Sequence, residues 1–151
     1  MRRFDVLTST TSMAYGMAER RAIDPPTVFA SAAHGFPQAV AVAGGRTVYV
    51  SGQVAWDAER RLIGGGDLGA QARQAFGNVV RVVEAAGGGR ASIVSVRIYV
   101  VDYRPEHAAA VGGAFRETFP AAVAPAATWI GVAALAEPDL LIEVEAVAVV
   151  D

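Results

Sequence analysis

The chain has 151 residues, 53% of them hydrophobic and 19% charged, which suits one domain with a continuous core and excludes general disorder. A net charge of −2, with basic residues scattered except for Arg-Arg pairs at 2–3, 20–21 and 60–61, argues against a phosphate-binding surface. All 13 basic residues are arginine and cysteine is absent, which removes lysine Schiff bases, pyridoxal attachment, the P-loop cation, disulfides, thiolate nucleophiles and Cys-based metal centres.

Residues 1 to 26 lack sustained periodicity and end at "DPP", so they read as an N-terminal extension before a single domain over 27 to 151. The N-terminus has no continuous apolar h-region and no segment approaches the ~18 apolar residues of a membrane span. A cytoplasmic, soluble protein is therefore expected. "QAVAVAGGRTVYVSGQ" (38–53) predicts two strands joined as a hairpin by "AGGR". Asp67 suits the N-cap of a helix whose Leu68, Ala72, Phe76, Val79, Val80, Val83 and Ala86 recur at helical spacing until Gly87 to Gly89. The "GGGDLG" at 64–69 is better read as a turn and cap than as a dinucleotide fingerprint, because no clear strand precedes it and no suitably placed acid follows.

"SIVSVRIYVV" (92–101) alternates, with Val94, Val96, Ile98 and Val100 on one face and Ser95, Arg97 and Tyr99 on the other. Pro105 opens a second helix with Ala108, Val111, Gly112, Phe115 and Phe119 inward. "PAATWIGVAAL" (125–135) and "LLIEVEAVAVV" (140–150) supply the last strands. The order β-β-α-β-α-β-β predicts an α+β domain, two helices covering one face of a mixed sheet. The other face then carries Thr47, Tyr49, Ser51, Gln53, Arg97, Tyr99, Leu141, Glu143, Glu145 and Val147, a mixture that predicts a subunit interface or a site.

Glu143 and Glu145 share a face about 7 Å apart along their strand. They are either the polar side of a half-exposed strand or contain a general acid/base. His34 and His107 have neither a relay nor a second metal ligand at useful spacing and read as solvent-exposed residues.

Taken together, "HGFPQAVAV…VYVSGQ", "Q…FGNVVRVVEAAGG", "VRIYVVD" and "PAATWIGVAALAEPDLLIEVEAVAV" resemble the YjgF/RidA (Rid) family over residues 34 to 150. The resemblance implies a chorismate-mutase-like fold and a homotrimer with small-molecule clefts between subunits. It further implies hydrolysis of enamines or imines without metal or cofactor, while the scattered basic residues and the lack of a long apolar segment lead us to expect neither nucleic-acid nor membrane partners. In such proteins an arginine grips the substrate carboxylate and a glutamate positions water. By this resemblance Glu143 is the glutamate and Ser51 the pocket serine. Phe36 stands where the family has a tyrosine, Pro37 where it has a serine, and Ala127 where the arginine belongs. Trp129 replaces a small or thiol-bearing residue, with Thr128 between them. A less positive, narrower and more aromatic pocket is expected, with Arg97 a candidate substitute for the missing charge unless it pairs with Glu145. A hydrolase acting on a substrate other than an ordinary 2-iminoacid and a non-catalytic binding protein both remain open, while endoribonuclease activity lacks a basic groove with stacked aromatics.

Overall fold

The computed structural model describes residues 16–151. Its strands are β1 (Glu19–Ile23), β2 (Ala39–Ala43), β3 (Arg46–Gln53), β4 (Ile93–Val101), β5 (Ala126–Val132) and β6 (Ile142–Val150), and its helices are α1 (Leu68–Ala85) and α2 (His107–Thr118). A four-stranded sheet runs β3-β6-β4-β5, antiparallel except for the β4–β5 pair, and β1 pairs with β2 in a separate two-stranded sheet. This is the α+β architecture read from the sequence, with one strand more. That strand, β1, comes from the segment read as an extension; residues 1 to 15 of that segment lie outside the described residues.

The hairpin expected over 38–53 does not form. Strand β2 takes β1 as its partner and β3 takes β6. The intervening Gly44 and Gly45 both have positive φ, +74° and +71°, which suits a tight turn. Their neighbourhood belongs to the chain before β1, however: the Gly45 N–H donates to the Gly16 carbonyl at 2.9 Å. A Cβ on Gly45 would lie 2.6 Å from Val149 Cγ1, so the turn is packed between the start of β1 and the end of β6.

Both helices form, α1 with its expected stripe, but α2 starts at His107 and buries Val111, Gly112 and Phe115 while the expected Ala108 is exposed. The Asp67 carboxylate caps α1 by accepting from the Ala70 N–H at 2.9 Å, and Ala72, Phe76, Val79, Val80 and Val83 are buried along one stripe. From α2, Phe115 and the following Phe119 meet Phe76 edge-on, with centroids 5.9 and 5.8 Å away. Against them β6 presents Ile142, Val144, Ala146, Ala148 and Val150, alternating with half-buried residues on the face away from the helices. Strand β4 does the same from Val96 onward. A bulge between Ile93 and Ser95 breaks the expected phase, so that Ile93 rather than Val94 fills the core.

Gln71 joins these parts. Fully buried on α1, its side-chain amide donates to the carbonyls of Gly65 (2.6 Å) and Asp139 (2.9 Å), and its carbonyl accepts from the Leu141 N–H at 2.9 Å. All three bonds go to backbone groups of the loops that lead into α1 and β6, so Gln71 sets where β6 enters the sheet. No helix among the described residues is long and apolar enough to cross a membrane.

Candidate functional site

Register places the site residues on two faces of one sheet. Residues paired across neighbouring strands share a face, and successive residues alternate. Glu143 pairs with Tyr99, and Arg97 with Glu145 and Thr128, all on the face that no helix covers. Ala127 pairs with Val96 and Trp129 with Ile98, whose side chains are buried beneath the helices. Within one chain, then, Glu143 and the Ala127–Trp129 pair look in opposite directions.

On the open face, a bulge in β3 between Val50 and Gln53 brings Gly52 against β6. Glu143 uses the room this leaves. A Cβ on Gly52 would overlap the Glu143 carboxylate at Oε1, so the absence of a side chain at 52 is what lets the acid lie against the β3 backbone. Ser51, beside Gly52, lines a depression of about 350 Å³ with Tyr49, Arg97 and Glu145. Arg97 donates to Glu145 at 2.6 Å, an exposed cross-strand pair. Its pKa is raised by that hydrogen bond and by the carboxylate charge. Arg97 therefore pairs with Glu145 on the open face, away from Ala127. The Tyr99 phenol is held above its ordinary pKa by partial desolvation first and by the Glu145 charge second.

On the helix side, a cavity of about 480 Å³ opens at the β5 edge. Its walls include Phe36, Ala127 and Trp129, with Phe29 and His34 from the segment before β2 and Arg116 from α2. The rings assemble at angles: Phe29 lies 5.5 Å from His34 and 6.4 Å from Phe36, and Trp129 lies 6.3 Å from Tyr103, centroid to centroid. Trp129 adds an aromatic wall without closing the cavity, whose volume falls in the range of small-molecule sites. The cavity has a positive charge after all, carried by Arg116 instead of position 127. Thr128, between two of its wall residues, points to the other face.

Sequence reasoning missed Phe29, Arg116 and Gly52 as site residues, while His34 is exposed as read and also lines the cavity. One signal was available: Ala108, Gly112 and Arg116 recur every four residues, so two small side chains and one long one share a helix stripe. Among the described residues, no group of three or more His, Asp or Glu side chains is placed to hold a metal ion.

A sheet of this order, with two helices on one face, is a fold that solved structures share. YyfB of Yersinia pestis, described as a protein of unknown function of the conserved Rid family, is 43% identical and superposes with a TM-score of 0.83 over 87% of this chain and 98% of its own. RidA from an Antarctic Psychrobacter species is 33% identical with a TM-score of 0.61, over 76% of this chain and 88% of its own. A 2-iminobutanoate/2-iminopropanoate deaminase of Dermatophagoides farinae is 31% identical over 76% of this chain and 87% of its own length. The family model described as Endoribonuclease L-PSP matches residues 28–150. The chain belongs to that family, the YjgF/RidA or Rid family, as its motifs indicate.

Proposed function

We propose that this protein is a Rid-family imine or enamine hydrolase whose substrate differs from the small 2-iminoacids, and that it works as a homotrimer. The observation that carries this reading is the division of the site between two faces. Glu143 lies against Gly52 on one face, and Phe36, Ala127 and Trp129 line a cavity on the other. Two copies of the chain, the open face of one against the helix-side cavity of its neighbour, unite them. Tyr49, 82% exposed on the open face, is the kind of aromatic group that such a contact buries.

In the united cleft Glu143 accepts a proton from water as the water oxygen adds to the carbon of the C=N bond, and the nitrogen takes up a proton. The carbinolamine then expels ammonia and leaves a carbonyl compound. The overall change is imine plus water to carbonyl plus ammonia, with no redox step. Ala127 removes the guanidinium that would grip an acid group attached to the reacting carbon.

An assay that generates imines in place with an amine or amino-acid oxidase and traps survivors with semicarbazide tests this. Imines with aryl or long alkyl groups are expected to be hydrolysed faster than 2-iminopropanoate. If 2-iminopropanoate proves the best of the panel, the substrate assignment fails; if none is turned over, the hydrolase reading fails.

A further inference from the structure

The helix-side cavity contains a cation that neither the family pattern nor the proposed hydrolysis uses. Arg116 follows Ala108 and Gly112 at four-residue intervals along α2, and all three line the cavity. Two glycines give it room. A Cβ on Gly112 would lie 3.1 Å from Arg116 Nη1 and 3.5 Å from Trp129 Cη2, so the guanidinium and the indole edge converge over the bare backbone of Gly112. A Cβ on Gly35 would meet the Arg116 side chain at Cγ, 3.3 Å away, and Gly35 sits at φ +94°, where a side chain is disfavoured in any case. Arg116 takes part in none of the ion pairs among the described residues, and no acidic side chain lines the cavity. A cation in the last turn of a helix suits the helix dipole. Arg116 is exposed, and the dipole does not account for its guanidinium lying beside Gly112 toward Trp129 at the cavity wall.

We infer that Arg116 is the anion anchor of this cavity, and that the ligand is a small carboxylate whose acid group is separated from its reacting carbon by an aryl or alkyl spacer. A planar guanidinium pairs with a carboxylate through two parallel hydrogen bonds even when one side of it is open to water. The walls that remain are largely hydrocarbon, from Phe29, Phe36, Phe115 and Trp129, so a ligand held at Arg116 fills the rest with apolar groups. The inference rests on reading this cavity as the substrate half of the cleft. It moves the acid-binding position from strand β5 to helix α2.

Isothermal titration of the full chain with phenylacetate, 3-phenylpropanoate and 4-phenylbutanoate, none of which contains a C=N bond, separates binding from turnover. The wild type is expected to bind at least one of these acids, and the matching amide about tenfold or more weakly. Arg116→Gln should bring the acid down to the level of the amide without affecting the amide, while Arg116→Lys keeps part of the preference. No binding of any of the three acids, equal affinity for acid and amide, or an unchanged Arg116→Gln variant overturns the assignment. Selective acid binding in a protein that hydrolyses no imine upholds it and removes only the hydrolase reading.

Discussion

Glu143→Gln is expected to lower the hydrolysis rate on whichever imine the wild type turns over best by two to three orders of magnitude, a typical loss when a positioned general acid/base is removed. The amide keeps the size and shape of the acid, so its fit against Gly52 survives, but it does not accept a proton from water at neutral pH. The melting temperature should therefore stay close to that of the wild type. Gly52→Ala provides the companion result. Its Cβ would overlap the Glu143 carboxylate at Oε1, and Gly52 has no positive φ to protect, so the substitution displaces the acid without straining the backbone. A loss of activity comparable to that of Glu143→Gln, in a folded protein, would show that the place of the carboxylate matters and not only its charge. Full activity in Glu143→Gln would remove Glu143 from the chemistry, and full activity in Gly52→Ala would show that its place against β3 does not matter.

Gln71→Leu is expected to destabilise the fold by about 3 kcal/mol, because three backbone groups that now pair with the Gln71 amide lose their partners in a buried setting. For a domain of this size that corresponds to a fall of roughly 10 °C in the melting temperature, measured at one protein concentration so that assembly does not shift the comparison. Leucine replaces the hydrocarbon of glutamine but donates and accepts nothing. A midpoint equal to that of the wild type would mean that the loops into α1 and β6 hold their course without the glutamine. Activity at a temperature where the variant is folded should fall as well, since Gln71 fixes Leu141, two residues before Glu143.

How far the sequence discloses this arrangement depends on how local the cause is. Helix α1 was legible because its apolar stripe, its Asp67 cap and its terminal glycines agree. The face shared by Glu143, Glu145, Arg97 and Tyr99 was legible from alternation alone, and the register confirms that they are neighbours. Pairing partners were not. "AVAVAGGRTVYV" has every local feature of a hairpin, yet β2 and β3 each find a better partner elsewhere, one of them the arginine-containing "ERRAI" that no alternation marks as a strand. The bulge at Val94 was hidden for the same reason, since nothing in "SIVSV" signals an extra residue opposite β6.

The site follows this division. The family resemblance drew attention to position 127 and to what its alanine lacks. It did not indicate that Ala127 and Trp129 look to the opposite face from Glu143, because the relative phase of two strands depends on their register and not on either segment by itself. Nor did it reveal Arg116, which reads along the sequence as an ordinary charge after the buried stripe of α2. Only the gap left by Gly112, with Trp129 reaching it from β5, makes that arginine part of a site.

Because the two halves face apart in one chain, the account requires that copies of the chain associate. Light scattering across a concentration series measures this directly. The account predicts a molar mass of three times the chain's 15.7 kDa, stable on dilution. A mass equal to that of a single chain at working concentrations would contradict it, for Glu143 would then have no second wall to act against.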